Sequence, residues 1–437
     1  LARSRDGPRP PLRPSREGER VVAFALPIEP MRLLLSFAAL FLSVILLQLG
    51  SGGVVPLDAL SGVGLGFSTE QIGLLGSAHF LGFFVGCWGA PRLMGSVGHS
   101  RAFAAFCAAG TIGILAHMLV VHPLAWAGLR MMSGLCVAGC YTVVEAWLQA
   151  KVTNETRGRA MGTYRVVDIL GSLGAQLFIG VLEPASYAAY NLLALMCCAA
   201  LLPLTLTRVE QPETPAAPRL RPRLAWDRSP LGAMGVVVSG VTGAAFRMVG
   251  PVYGLGVGLS ADQIALFLAA YVAGGGLAQY PVGWLADRFD RRTVLIALSV
   301  ASVVSCTATI ALSGAGTWAV FLAAGLFGLT TIPIYSVSSA HAHDFAEPHE
   351  RVELSAAHMF LYATGATASP LFASWLIATF GPPAMFALIA GAHLALVVFG
   401  FLRMRARPTP SLRTAYQYVP RTSFVFGRLL GRGRDRT

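Results

Sequence analysis

Apolar stretches of about twenty residues recur along the whole chain, separated by short polar gaps. A helix of that length, rising about 1.5 Å per residue, crosses a hydrocarbon core of about 30 Å. Twelve such stretches are legible: 33–56, 70–91, 101–121, 124–148, 160–182 and 187–206, then 231–253, 264–285, 293–313, 317–340, 355–379 and 383–403. Each is expected to be helical, because lipid offers no partner for exposed backbone polar groups. Pro333, Pro370 and the run Gly274-Gly275-Gly276 fall inside spans, where they mark kinks or close packing. The pattern predicts an all-α polytopic membrane protein rather than the two or three soluble domains that 437 residues would otherwise accommodate.

The second half of this pattern lies on the first after a shift of 192 positions, which brings Ser68-Thr69-Glu70-Gln71-Ile72 onto Ser260-Ala261-Asp262-Gln263-Ile264 without a gap. Six crossings return a chain to its starting side, so the two six-helix repeats are expected to run in the same sense. The predicted organisation is a disordered extension at 1–32, a six-helix bundle at 33–206, a Pro-rich linker at 207–230, a second bundle at 231–403 and a basic tail at 404–437. The extension has no long apolar core, so it does not read as a cleavable signal peptide, and Met31 is a candidate natural start.

Charge then orients the chain. Of 33 Lys and Arg residues, seven precede the first span, fourteen lie in the even-numbered loops and nine lie from position 403 onward. The remaining three, Arg130, Arg165 and Arg247, are inside spans. Such asymmetry predicts cytoplasmic termini and even loops in a bacterial inner membrane. It also accounts for the net charge of +12 without a nucleic-acid partner. The seven cysteines lie in or beside apolar spans, which argues against a disulfide framework.

The densest charge sits in Gly283-Trp284-Leu285-Ala286-Asp287-Arg288-Phe289-Asp290-Arg291-Arg292, between the eighth and ninth stretches. This segment resembles the loop signature G-x-L-A-D-R-x-G-R-R of the major facilitator superfamily, with Asp290 where Gly is usual. The first-half copy is worn: Pro91 replaces the leading Gly, Gly95-Ser96 replace Asp-Arg, and Gly98 survives. Arg130-Met131-Met132-Ser133-Gly134 is similar to the family's R-x-x-x-G in the fourth helix, and Gln279-Tyr280-Pro281-Val282-Gly283 resembles the YcaD-like bacterial branch. The resemblance implies a twelve-helix transporter working by alternating access. It also implies that Gly283, Asp287, Arg288, Arg291 and Arg292 form a gate favouring the outward-facing state. Asp287 is expected near the N-terminus of the fifth helix, where the helix dipole favours a carboxylate by about 0.3–1 kcal/mol. Lacking its Asp, the first-half copy leaves this latch one-sided.

Ionisable groups within spans are costly and mark candidate function. Glu145 on the fourth helix and Arg165 and Asp168 on the fifth share a depth, and Arg165 and Asp168 can meet at i, i+3. Glu145 is the first candidate for a proton carrier and Asp168 the second; the competing reading is a structural salt-bridge network. Arg130 and Arg247 are expected to face each other across the outer cavity and favour an anionic group, or else to snorkel to the interface. His79 maps onto Tyr271 midway along the second and eighth helices, and Gln48, Tyr141 and Tyr335 sit on helices that line the cavity in the resembling family. His341-Ala342-His343-Asp344 reads as a solvated loop before a metal site. The tail, with Phe424, Phe426 and Leu429 among its arginines, is a candidate for anionic lipid.

The only lysine, Lys151, precedes Val152, so no P-loop is present, and neither G-x-S-x-G nor H-E-x-x-H occurs. No enzyme and no cofactor is expected. The predicted function is a monomeric secondary transporter of a small molecule, proton-coupled, with export favoured over uptake. The rival is a membrane sensor or scaffold that kept the fold without transport.

Overall fold

The computed structural model describes residues 28–151, 157–206 and 220–406, and every regular element among them is helical. The first set is α1 (Ile28–Gly64), α2 (Thr69–Val97), α3 (His99–Ala116), α4 (Pro123–Lys151), α5 (Arg157–Ile179), α6 (Tyr187–Ala199) and α7 (Leu201–Thr205). After a short helix α8 (Pro222–Arg228) come α9 (Pro230–Gly256), α10 (Ala261–Arg288), α11 (Arg291–Ala311), α12 (Thr317–Thr331), α13 (Ile334–His343), α14 (Arg351–Phe380) and α15 (Ala384–Ala406). Ten stretches are long and apolar enough to cross a membrane, with α6–α7 and α12–α13 each forming one of them. The charged or polar α5 and α14 fall outside that set by composition, yet pack lengthwise on α1 and on α9.

Sequence and packing repeat together. Helix α1 packs on α5 and α6 as α9 packs on α14 and α15, and α2 packs on α4 as α10 packs on α12. Both α2 and α10 begin with the same local chemistry: Gln71 accepts from the Ser68 amide at 2.9 Å, and Gln263 from the Ser260 amide at 3.1 Å. This is half of a capping box, and it satisfies a backbone donor that no helix turn can reach. Mid-helix, a Cβ on Gly82 would meet the Met131 carbonyl oxygen, and one on Gly274 the Gly325 carbonyl oxygen. Glycine therefore sets the close α2–α4 and α10–α12 approaches.

The two sets meet chiefly where α2 packs on α14 and α5 on α10, each the counterpart of the other under the repeat, and α9 also touches α1 and α2. Gly73 lies against Ser374 and Pro370, and Gly180 against Asp262 and Ala265. These contacts sit near the helix ends whose connecting loops contain no Lys or Arg.

Two expectations change in detail, and the Asp290 turn departs from the glycine turn as its sequence implies. Helix α1 continues through Pro56 to Gly64 rather than ending at 56, which carries Asp58 into the helix. At the second turn of each half, Gly98 adopts φ 86°, whereas Asp290 has φ −62° and caps α11 by accepting from the Arg292 amide at 3.0 Å. Asp at the glycine position therefore trades a left-handed turn for an N-cap. Finally, His341 and His343 end α13 as buried side chains, not in a solvated loop. The basic tail from 407 on, the extension through 27 and the linker segment 207–219 lie outside the described residues.

Candidate functional site

A cavity of about 200 Å³ lies between the two sets of helices, lined from α1, α2, α4 and α5 on one side and α9, α10 and α14 on the other. It is small beside ligand pockets of about 300–1,000 Å³. Its wall carries the rings of Phe80, Phe83, Tyr141, Phe246, Tyr271 and Tyr362 among aliphatic and polar side chains. The polar positions follow from helix periodicity. Gln48 and Ser51 fall on one face of α1, and Asp168, Ser172 and Gln176 follow one another at i, i+4, i+8 on α5.

Asp168 is the carboxylate in this wall. Its Oδ1 accepts from Gln48 Nε2 at 2.7 Å and from the Tyr141 hydroxyl at 3.4 Å. Three predicted residues thus come together, though not in the predicted pairing: Asp168 is held by two neutral donors and forms no ion pair with Arg165 among the described residues. Glu145 and Arg165 are both buried, and neither lines the cavity. Gly171 brings α5 close enough to α1 for the Gln48 contact, since a Cβ there would lie 3.0 Å from that of Gln48.

On the facing wall Arg247 points into the cavity and is exposed there. No carboxylate lies within ion-pair distance of it among the described residues. His79 and Tyr271, matched by the repeat, both line the cavity. The His79 ring is 8% exposed, and its Nδ1 has no hydrogen-bond partner. Tyr335 is buried just behind the wall, edge-on to Tyr362 with ring centroids 5.6 Å apart.

Arg130 does not face Arg247. It is 1% exposed, with Nε 3.3 Å from Asp58 Oδ2. The same carboxylate accepts from the Tyr190 hydroxyl at 2.8 Å and lies 3.4 Å from His117 Nε2. His117 Nδ1 sits 2.7 Å from the Gly113 carbonyl, so Nε2 can also donate to Asp58 only when the ring carries both protons. Trp126 closes the group by donating to the His117 carbonyl at 2.7 Å. Sequence reading missed Asp58, because a first span ending at 56 placed it in the outer loop. A lone carboxylate on the next helical turn was the signal available.

The charged loop folds onto its own half. Arg291, 2% exposed, donates to Asp344 at 2.8 Å, to the Ala340 carbonyl at 3.0 Å and to Asp287 at 3.2 Å. Arg292 pairs with Asp290 at 2.8 Å, and the Arg288 guanidinium lies 5.3 Å from the Trp284 ring centroid. Gly283 precedes them on α10, whose last turn carries Asp287, half exposed. Nearby, Arg228 of α8 pairs with Glu350, and Arg221 with Glu353 at 3.0 Å, tying α8 to the start of α14. Burial is the largest single influence on the Glu350 carboxyl and raises it, but the hydrogen bond from Arg228, the Glu347 amide and the charges of Arg228 and His349 together hold it below its ordinary range.

Among known proteins, the profile of the Major Facilitator Superfamily matches residues 232–432. An uncharacterized MFS-type transporter of Yersinia pestis (strain Pestoides F) is 28% identical over 357 residues, covering 80% of this chain and 90% of that protein. The uncharacterized MFS-type transporter YcaD of Escherichia coli O7:K1 (strain IAI39 / ExPEC) is 29% identical over 348 residues, covering 78% and 89%. Among solved structures, the nucleoside transporter NupG aligns with a TM-score of 0.68 at 16% identity, covering 86% of this chain and 100% of that one. The D-xylose-proton symporter aligns with a TM-score of 0.64 at 13% identity, covering 88% and 99%.

Proposed function

The chain is an MFS-type transporter, a multi-pass membrane protein of the major facilitator superfamily and not an enzyme, and from that premise we propose that it couples solute movement to protons through Asp168. The observation that carries this reading is the position of Asp168 in the cavity wall, held only by neutral donors. An ionisable side chain that lines an intramembrane cavity without a fixed countercharge marks a candidate proton pathway. Alternating access then presents the same group to each side of the membrane. Glu145, sealed behind the wall, serves as a relay or a structural anion instead.

Two features support a bacterial inner-membrane orientation with the basic loops cytoplasmic: the relatives are bacterial, and every Lys and Arg of the loops lies on one side. In that orientation the halves touch at the outer end through Gly73 and Gly180, and α2 stays against α14 as far inward as Phe84 on Phe360. The Arg291–Asp344 clamp acts as the rigid base of the second half, and the gate closes when Asp287 reaches across to α5.

The test uses purified protein in liposomes loaded with a pH-sensitive dye and challenged with a library of small solutes. The cargo should drive a proton flux that Asp168→Asn abolishes, while solute exchange at equal pH persists once the cargo concentration is raised to offset weaker binding. A proton flux unchanged in Asp168→Asn would remove Asp168 from the coupling role.

A further inference from the structure

The cavity holds one exposed fixed cation and one carboxylate, and they stand on opposite walls. Arg247 belongs to α9 and Asp168 to α5, and among the described residues neither forms an ion pair. Leaving an arginine exposed in an aromatic-lined chamber is costly unless cargo completes it. The same holds for Asp168, whose Oδ1 takes both neighbouring donors and leaves Oδ2 to the cavity.

Building on the transporter reading above, we propose that the cargo is a small zwitterion whose cationic group seats on Asp168 and whose anionic group seats on Arg247. A guanidinium offers a fork of donors that matches a carboxylate or phosphate with two parallel bonds. Asp168 Oδ2 accepts from an ammonium, and the neighbouring Gln48 holds Oδ1 in place at 2.7 Å. Phe80, Phe83 and Tyr362 enclose the apolar part of the molecule. The 200 Å³ volume admits a solute of amino-acid size. A singly charged solute would bury either Arg247 or Asp168 unmatched, so discrimination rests on the group left without a partner.

This arrangement gives the two charges a second task. A zwitterion held at both ends bridges the two halves, so its binding energy is spent on bringing α5 and α9 together. Proton and ammonium also compete for one carboxylate, which moves them in opposite directions across the membrane.

The experiment measures thermal stabilisation of the purified full-length protein in detergent by α-amino acids and by ω-amino acids of increasing chain length. Each is compared with its N-acetyl form, which keeps only the anion, and its amide, which keeps only the cation. A free zwitterion should stabilise the protein, and both derivatives should bind about ten- to a hundred-fold more weakly. In Arg247→Gln the amide should bind as well as the parent, and in Asp168→Asn the N-acetyl form should do so. Overturning results are a singly charged derivative that binds as tightly as its parent to the wild type, or a panel in which no zwitterion stabilises the protein. A singly charged solute that drives an Asp168-dependent proton flux would sink the zwitterion and leave the coupling proposal standing.

Discussion

The two halves share a backbone plan and invert their chemistry. At the loop-poor end of the first half, Asp58, Arg130, His117 and Tyr190 form a buried polar knot. The equivalent corner of the second half is aromatic: Phe246, Tyr253, Phe267, Phe327 and Phe386 pack ring on ring, with Phe246 and Phe327 centroids 5.2 Å apart. At the opposite end the assignment reverses. Arg291 and Asp344 carry the ion pair in the second half, while His99, which the repeat places on Arg291, stacks on Trp147 at 6.2 Å. One architecture therefore tolerates either a charge pair or an aromatic stack at the same corner. What it does not tolerate is half of a pair, because a buried ion without its partner loses solvation with nothing in return.

The polar knot offers the largest test of that comparison. Asp58→Leu should destabilise the purified protein by about 3–5 kcal/mol, since it strands Arg130 at 1% exposure. Asp58→Leu combined with Arg130→Met should regain most of the loss, turning the first-half corner into a copy of the second. Thermal unfolding in detergent measures both, and a double variant no better than the single one would show that the knot is not interchangeable with apolar packing. A smaller effect is expected at the other corner. Arg291→Lys keeps the charge but loses the fork that reaches Asp344 and the Ala340 carbonyl together, at a cost of about 1.5–3 kcal/mol. The smallest contrast concerns what the halves share. Gly82→Ala and Gly274→Ala should each cost about 1–3 kcal/mol, and by similar amounts, because each Cβ meets a carbonyl oxygen of the facing helix. Unequal melting shifts for these two would mean that the close approaches are not equivalent.

These corners also show where sequence reading reached its limit. The 192-residue repeat already aligned Gly98 with Asp290 and Gly95 with Asp287, so a changed turn and a one-sided motif were visible as letters. That Asp290 becomes an N-cap followed from no letter, because capping depends on φ and ψ. In the cavity wall, Gln48, His79, Tyr141, Asp168, Arg247 and Tyr271 were all singled out beforehand, since each is a polar or aromatic interruption of an apolar helix. Tyr335 falls one layer behind, while Gln176, Tyr362 and Gln279 (marked in the sequence only as part of a family-like motif) join the wall, because helical periodicity gives a face without saying what it faces.

The amino-acid order by itself determined the helical class, the membrane setting, the duplication and the sidedness of charge. Those properties depend on hydrocarbon thickness and backbone hydrogen bonding, which act on each segment independently of its neighbours. Tertiary structure alone decided who partners whom: Arg130 with Asp58 rather than Arg247, Asp168 with Gln48 rather than Arg165, Arg291 with Asp344. Pairing in a low-dielectric interior turns on distances of a few ångströms between helices far apart in the chain, and those distances are set by rotation and tilt that no single helix specifies.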